Sequence, residues 1–470
     1  MKIWLLFFLI FLSSCTVGPE YKPVKSKLPK SWYSKELLKQ SGITLTTKKQ
    51  IKEIQRWWEN LNDPMLNKLI NMAVQGNLDI KKALARLKEE RALRGVEKSK
   101  LFPYLDANAS VTRKRVAETG KTTEHYSLSI DASWEADIFG GIRRSIQEAE
   151  ARVAAAKEGL RDVIVSLLAE VAINYIELRT YQARLNATVA NAKAQEEIYK
   201  LNLSKYKAGL IDELYVQQSK YVLESTKAQI PVLQEGIEKA KNRIAVLLGK
   251  KPGELDKELD GFYPIPTPPV KIVIGIPANA LRNRPDVRRA EMNLIAATAA
   301  VGKAKAELYP KLNLSGSIGL ESISKGDLFE WASRTWSLAV NTTWKIFHAG
   351  EIRQKIKVYN ARQEQALYEY QNIILKALEE VRDAIIAYVK EQRRCYSLEK
   401  AVIAARKSYE LALDRYRAGI SDFIDVLDAE RSLQSLQDQL SISRGAVVTN
   451  LVRLYKALGG GWSAFLQVGG

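Results

Sequence analysis

The side chains that most often carry chemistry are scarce in this sequence and far apart. His125 and His348 are the two histidines, and Cys15 and Cys395 the two cysteines. A zinc site or a cysteine–histidine nucleophile needs such groups brought together, and nothing in their spacing does so. The expectation is therefore no metal, no catalytic residue and no enzyme. Lys and Arg number 72 against 53 Asp and Glu, a formal charge of +19, which by itself would suit an anionic partner. The charges are interleaved, however, as in Lys81-Lys82-Ala83-Leu84-Ala85-Arg86-Leu87-Lys88-Glu89-Glu90. That is the pattern of a solvated helix face, and without an accompanying nucleic-acid motif it argues against a nucleic-acid partner.

One cysteine does sit in a chemical context. Lys2 followed by the apolar run from Ile3 to Leu12 has the layout of a secretory signal, too short for a spanning helix. Its end, Leu12-Ser13-Ser14-Cys15, resembles the lipobox of bacterial lipoproteins. The motif implies that residues 1–14 are removed, that a diacylglycerol is joined to the Cys15 sulfur by a thioether, and that an acyl chain caps the new amino group. Several acyl chains anchor stably where one does not, and no other cofactor is expected. Thr16, standing where an Asp would retain the protein inside, fits sorting to the outer membrane. Cys395 is then left without a disulfide partner and reads as a plain helix-face residue.

The elements behind this anchor come in two copies. Tyr199-Lys200-Leu201-Asn202-Leu203-Ser204-Lys205-Tyr206-Lys207-Ala208-Gly209 returns as Tyr409-Glu410-Leu411-Ala412-Leu413-Asp414-Arg415-Tyr416-Arg417-Ala418-Gly419, 210 positions on (416 − 206). The same offset relates Trp134 to Trp344, Gly140 to Gly350 and Leu248-Gly249 to Leu458-Gly459. Earlier in each half it is 207 (310 − 103), joining Leu101-Phe102-Pro103 to Leu308-Tyr309-Pro310. Prolines are absent from Tyr104 to Ile230 and from Lys311 to the end, and seven cluster from Pro252 to Pro285, which marks a connector because proline breaks helices and central strands. The segments are 15–60, a lipidated extended stretch; 61–250, a first repeat; 251–283, a Pro-rich linker; 284–459, a second repeat; and 460–470, a tail.

Each repeat carries one amphipathic hairpin. Leu105, Ala107, Ala109 and Val111 alternate with Asp106, Asn108, Ser110 and Thr112, and Tyr126, Leu128, Ile130, Ala132 and Trp134 alternate with polar residues. The pattern recurs at Leu312 to Glu321 and Trp336 to Lys345. Period two, lengths near those of membrane-spanning strands, and aromatics near the ends fit a lipid-facing barrel wall. Four strands leave two open edges, which hydrocarbon does not tolerate, so several chains must close the barrel, in a number the pattern leaves open. After each hairpin come helices. From Ile146 through Ala149, Val153, Ala156, Leu160 and Val163 to Leu167 the apolar steps alternate four and three, as in a left-handed coiled coil. The helix predicted from Ile142 to about Lys207 would reach roughly 100 Å at 1.5 Å per residue. Gly209 ends it, a return helix is expected from Asp212 to Leu248, and the second half repeats this at Ile352–Arg417 and Ile424–Leu458.

At this point the chain resembles a known family over nearly its whole length: the TolC-type outer membrane factors, in their lipoprotein (NodT-like) branch. The resemblance is carried by the ordered set of Thr16-Val17-Gly18-Pro19-Glu20-Tyr21-Lys22-Pro23 after the lipobox, Trp57-Trp58 before Asp63-Pro64, Asn283-Arg284-Pro285-Asp286-Val287-Arg288-Arg289-Ala290-Glu291, Leu308-Tyr309-Pro310, the doubled Tyr-x-x-Gly turns, and Leu454-Tyr455-Lys456-Ala457-Leu458-Gly459-Gly460-Gly461-Trp462. It implies an α+β membrane protein, a homotrimer with a 12-stranded β-barrel (four strands per protomer) continued by a long α-helical coiled-coil tunnel. It also implies an outer-membrane exit duct of a tripartite efflux or secretion system, partnered by a periplasmic adaptor protein and an inner-membrane pump. On the matching motifs, Ala208, Gly209, Leu210, Ala418, Gly419 and Ile420 correspond to tips that meet the adaptor. Tyr416, Ile424, Asp425 and Asp428 correspond to the periplasmic gate, with Ser421 where a family member has a basic residue. Threefold symmetry would triple each carboxylate, and two such charges about 6 Å apart repel by roughly 3 kcal/mol at an effective dielectric near 20. The rival reading is a structural coiled-coil outer-membrane lipoprotein, which needs the lipobox and helices but not the four amphipathic strands.

Overall fold

The computed structural model describes residues 16–24, 33, 43–46, 52–115, 117–118, 120–269, 272–275 and 277–469. Cys15 and the signal run lie outside the described residues. In chain order the elements are β1 (Ile43–Thr46), α1 (Lys52–Gln55), α2 (Pro64–Gly76), α3 (Leu78–Ser99), β2 (Tyr104–Arg115), β3 (Thr122–Ala136), α4 (Gly141–Lys207) and α5 (Glu213–Leu247). They continue with α6 (Asp256–Leu259), β4 (Ile272–Gly275), α7 (Pro277–Asn283), α8 (Pro285–Ala306), β5 (Lys311–Ser322), β6 (Arg334–Thr343), α9 (Glu351–Arg417) and α10 (Phe423–Ala457). Three pairs of helices match in length between the repeats: α3 and α8 have 22 residues each, α4 and α9 67 each, α5 and α10 35 each. The stretch expected to be extended, 15–60, and the Pro-rich linker, 251–283, each give a short strand, β1 and β4, which pair in parallel.

Packing overrides local preference in two places. Pro231 lies inside α5, although a proline costs an isolated helix about 3 kcal/mol. Buried Leu233, Ile237 and Ala240 hold the helix on its far side, where tertiary contact rather than propensity supplies the stability. Along α4 the expected stripe is buried at Ile146, Ala149, Leu160 and Leu167, but Val153, Ala156 and Val163 are half-buried. Ala151, Ala155, Ile164, Leu168 and Ala169 are buried as well, so the helix meets neighbours on more than one side.

The chain divides into two compact units, and each draws on both repeats. The first takes in residues 16–24, Ala85–Glu158 and Arg288–Ile373. It holds a four-stranded antiparallel sheet in the order β2-β3-β5-β6. At the sheet's base the repeat is visible as a duplicated hydrogen bond: Trp134 Nε1 donates to the Leu101 carbonyl at 3.0 Å, and Trp344 Nε1 to the Leu308 carbonyl at 3.0 Å. Phe139 stacks on Tyr309 at 4.8 Å. The segment that follows Cys15 is strapped onto this unit. Val17 N–H donates to the Phe139 carbonyl, and the Arg144 guanidinium donates to the carbonyls of Val17 and Gly18. Gly18 lies so close to Gly302 that a Cβ on it would sit 2.4 Å from the Gly302 Cα.

The second unit comprises the described part of Lys27–Leu84 together with Gly159–Val287 and Ile374–Gly470. Trp57, Leu66, Leu69 and Ile70 are fully buried in it, and Trp57 stacks on Tyr455 at 5.6 Å. Asp63 caps α2 by accepting from Leu66 N–H, and its other oxygen accepts from the Tyr175 hydroxyl at 2.7 Å. Buried Arg284, from the Asn-Arg-Pro-Asp motif, donates to Asp286, Glu380 and the Ala457 carbonyl, a neutralised and hydrogen-bonded charge of the kind that tolerates burial.

Candidate functional site

The two tips of the second unit are built alike. After α4 and after α9 the chain turns at a glycine with positive φ, +71° at Gly209 and +72° at Gly419, a conformation that residues with a Cβ adopt at a cost. Leu210 N–H reaches back to the Lys205 carbonyl and Gly209 N–H to that of Tyr206, and Ile420 and Gly419 repeat the pair with Arg415 and Tyr416. This is a Schellman close. The apolar residue after each glycine, which in that motif usually folds back onto the helix, instead points outward: Leu210 is 72% exposed and Ile420 69%. Asp212 then caps α5 by accepting from Leu214 N–H at 2.9 Å. Asp422, its mate in the second repeat, makes no such cap and accepts from the Tyr215 hydroxyl at 3.0 Å, so the two tips are tied to each other.

Beneath the tips a small core closes around Phe423. Ile198, Val222, Tyr416, Val426 and Leu427 are buried with it, and the Tyr416 ring lies 5.3 Å from that of Phe423. Tyr416 donates its hydroxyl proton to Asn202 Oδ1 at 2.7 Å, and Lys205 Nζ stands 4.2 Å above the ring. Burial raises the Tyr416 hydroxyl above its ordinary value. The hydrogen bond to Asp422 does the same for Tyr215. Tyr416 thus packs between helices, and its described partner is on α4.

Ile424, Asp425 and Asp428 lie elsewhere, on the exposed side of α10. The two aspartates line an open groove of about 570 Å³ between α9 and α10, together with Arg415, Ser421 and Ser432. Arg431 approaches Asp428 at 3.9 Å. The repeat shows how one-sided this chemistry is: Asp425 and Asp428 stand where the first half has Tyr215 and Gln218. The structure therefore brings Asp425 and Asp428 together and separates Tyr416 from them. Among the described residues no group of three or more His, Cys, Asp and Glu could hold a metal ion, and no helix is long and apolar enough to cross a membrane.

Two residues of this region escaped the sequence reading. Asn202 had a signal, since it stands against Ala412 in the aligned repeat and is the polar exception in an otherwise matched segment. Glu430 had none. It is buried on the inward side of α10 at 8% exposure. Burial raises its carboxyl above the ordinary value, against a weaker pull from Gln195. The nearby Tyr409 hydroxyl is pushed up to about 12 by burial and then by the Glu430 charge.

Comparison with known proteins agrees with this architecture. The model of the outer membrane efflux protein family matches residues 69–250 and 276–460. The solvent efflux pump outer membrane protein SrpC of Pseudomonas putida is 30% identical over 97% of this chain and 98% of its own. Nodulation protein T of Rhizobium leguminosarum bv. trifolii is 29% identical over 98% of both chains. Among solved structures, the outer-membrane channel OprN superposes with a TM-score of 0.88 at 34% identity, covering 95% of this chain and 100% of that one. The Neisseria gonorrhoeae MtrE outer membrane channel, in its open state, gives 0.83 at 27% identity, covering 95% and 99%. With both repeats matched and the fold shared, the chain belongs to the outer membrane efflux protein family.

Proposed function

We propose that this protein is a homotrimeric, lipid-anchored exit duct of a tripartite efflux system, passing solutes out through the outer membrane without chemical change. The observation that carries the reading is the sheet of the first unit. Many of its apolar side chains are open to solvent, with Leu105 71%, Val111 69% and Trp336 78% exposed. Its two edge strands, β2 and β6, have partners on one side each. An apolar, doubly open sheet is stable in neither water nor lipid as a lone chain, and three copies would close a barrel of twelve strands. A coiled-coil spacer lipoprotein has no use for such a sheet. The names of the relatives, as outer membrane components of efflux pumps, support an adaptor and an inner-membrane pump as partners. The exposed apolar pair Leu210 and Ile420, beside Ala208, Gly209, Ala418 and Gly419, supplies the adaptor contact. The strap from Thr16 to Gly18 supports an anchor on Cys15, since it holds the first residues after that cysteine against Gly140, Arg144 of α4 and Gly302 of α8.

The test is conductance of purified protein in planar bilayers, with a trimer that falls to monomers on heating. Solitary, non-conducting material would refute the duct. Replacing Asp425 and Asp428 with Ala is expected to weaken block of the current by divalent cations applied from the tip side, and unchanged block would take these residues out of the mouth. For the anchor, labelling with radioactive palmitate should be lost in Cys15→Ala.

A further inference from the structure

The internal repeat fixes how one copy meets the next. Within the protomer, the register of the first hairpin becomes that of the second when β2 is advanced by 207 positions and β3 by 210: Tyr104 opposite Ser133 becomes Lys311 opposite Thr343, as observed. The same two offsets can be applied to the internal seam, where β3 pairs with β5. They turn β3 into β6, and in reverse they turn β5 into β2. Those are the two open edges. From this operation we infer that, in the trimer proposed above on which the inference rests, β6 of one copy pairs antiparallel with β2 of a second copy in one definite register. Val340 lies opposite Val111, Asn341 opposite Ser110, and Lys345 opposite Asp106, the images of Ile130–Ile318, Asp131–Ser317 and Glu135–Asn313.

Two independent features of the edges agree with that register. The first is parity. Trp336, Leu338, Val340, Thr342 and Trp344 share one face of the second copy of the hairpin, and the register sets the last three opposite Val111, Ala109 and Ala107, which lie on the apolar face of β2. Ser337, Asn341 and Thr343 meet Lys114, Ser110 and Asn108 on the polar face. A slip of one residue would turn every lipid-facing side chain into the lumen. The second is charge. Asp106 and Lys345 are both exposed, and neither has an ion-pair partner among the described residues. A slip of two residues preserves the faces but moves Lys345 from Asp106 to Asn108 or Tyr104. Opposite charges directly across a strand pair favour one register over its neighbours.

The register also accounts for a difference between matched strands. β3 runs on to Ala136, and its last three residues are held by β5 alone, through Leu314, Asn313 and Leu312. Their mates 344–346 lie beyond the end of β6 at Thr343, on the side where the lone protomer offers no counterpart to β5. Pairing with a second copy extends β6 through Ile346, which falls opposite Leu105 as the image of Ala136–Leu312.

Cross-linking tests the register. In a Cys395→Ala background, Ser110→Cys combined with Asn341→Cys should give reducible dimers and trimers on oxidation, because directly opposed Cβ atoms lie about 4.5–5.5 Å apart. The two cysteines of one chain sit on opposite edges of its sheet and cannot join each other. Ser110→Cys with Ala339→Cys, or with Thr343→Cys, should cross-link several-fold less. Stronger cross-linking in either slipped combination, with the trimer intact, overturns the register and leaves the duct standing. Failure of the unsubstituted protein to form a trimer overturns both. As a second arm that introduces no cysteine, Asp106→Lys and Lys345→Asp should each lower the temperature at which the trimer dissociates, and together restore it; no recovery in the double variant refutes the Asp106–Lys345 contact.

Discussion

At Gly209 and Gly419 the backbone turns through nearly the same φ with the same pair of hydrogen bonds, yet Tyr206 is 40% exposed and its mate Tyr416 only 5%. Tyr416 has Asn202 as acceptor, whereas the position matching Asn202 in the second repeat is Ala412, which has no side chain to bond. Asp212 caps its own helix, while Asp422 is engaged by Tyr215. Backbone hydrogen bonds and a positive φ ask only for a glycine, so duplication preserves them. Side-chain partners depend on which hairpin lies beside which, and there the copies have diverged: the first holds a tyrosine and a glutamine where the second presents two aspartates.

The comparison can be broken most severely at the tyrosines. Tyr416→Ala removes a buried ring and leaves Asn202 without its donor, and is expected to cost about 3–5 kcal/mol. Tyr206→Ala should cost under about 1 kcal/mol, as exposed positions usually do. Thermal unfolding of the detergent-solubilised protein measures both, and equal losses would mean the tips are packed alike in the assembly.

A smaller effect distinguishes Glu430, whose mate in the first repeat is Lys220. Its folded carboxyl is raised by burial, so the folded state holds that proton more tightly than the unfolded chain. The contribution is most favourable at pH below the unfolded value, near 4.5, and is lost as pH rises through the raised folded value. The groups around it are Gln195, Tyr409 and Arg431. Glu430→Gln should therefore raise the unfolding midpoint at pH 7 and flatten its fall between acid and neutral pH. A variant that follows the parent profile at every pH would show the carboxylate to be solvated.

The glycines should give the smallest and most symmetrical response. Gly209→Ala and Gly419→Ala each place a Cβ in the left-handed region at about 1–2 kcal/mol. Open space surrounds both positions, so the two losses should agree. A much larger loss at one tip would reveal a contact there that the single protomer lacks.

Much of this was legible beforehand because periodicity and repetition are local. The long helix expected from Ile142 to about Lys207 is Gly141–Lys207, and the four strands cover the alternating stretches, except that β6 stops at Thr343, short of Trp344 and Lys345. The return helix expected from Asp212 to Leu248 does form, through Pro231, because proline's cost is local while the packing that offsets it is not. Asn202 was visible as a flaw in the repeat, but its bond to Tyr416 joins residues 214 positions apart. The inward turn of Glu430, two residues beyond the exposed Asp428, has no signature, since neighbouring positions on a helix point to different faces and the sequence does not name which face is covered.

By itself the sequence determined the element types, their lengths and the twofold repetition, for hydrophobic period, glycine and proline act within a few residues of themselves. Tertiary structure alone decided which copy of each repeated side chain is buried, which aspartate caps and which one bonds to a tyrosine, and which strand edges stay open. Those choices depend on contacts between residues hundreds of positions apart, and two halves with nearly the same local code can make them differently.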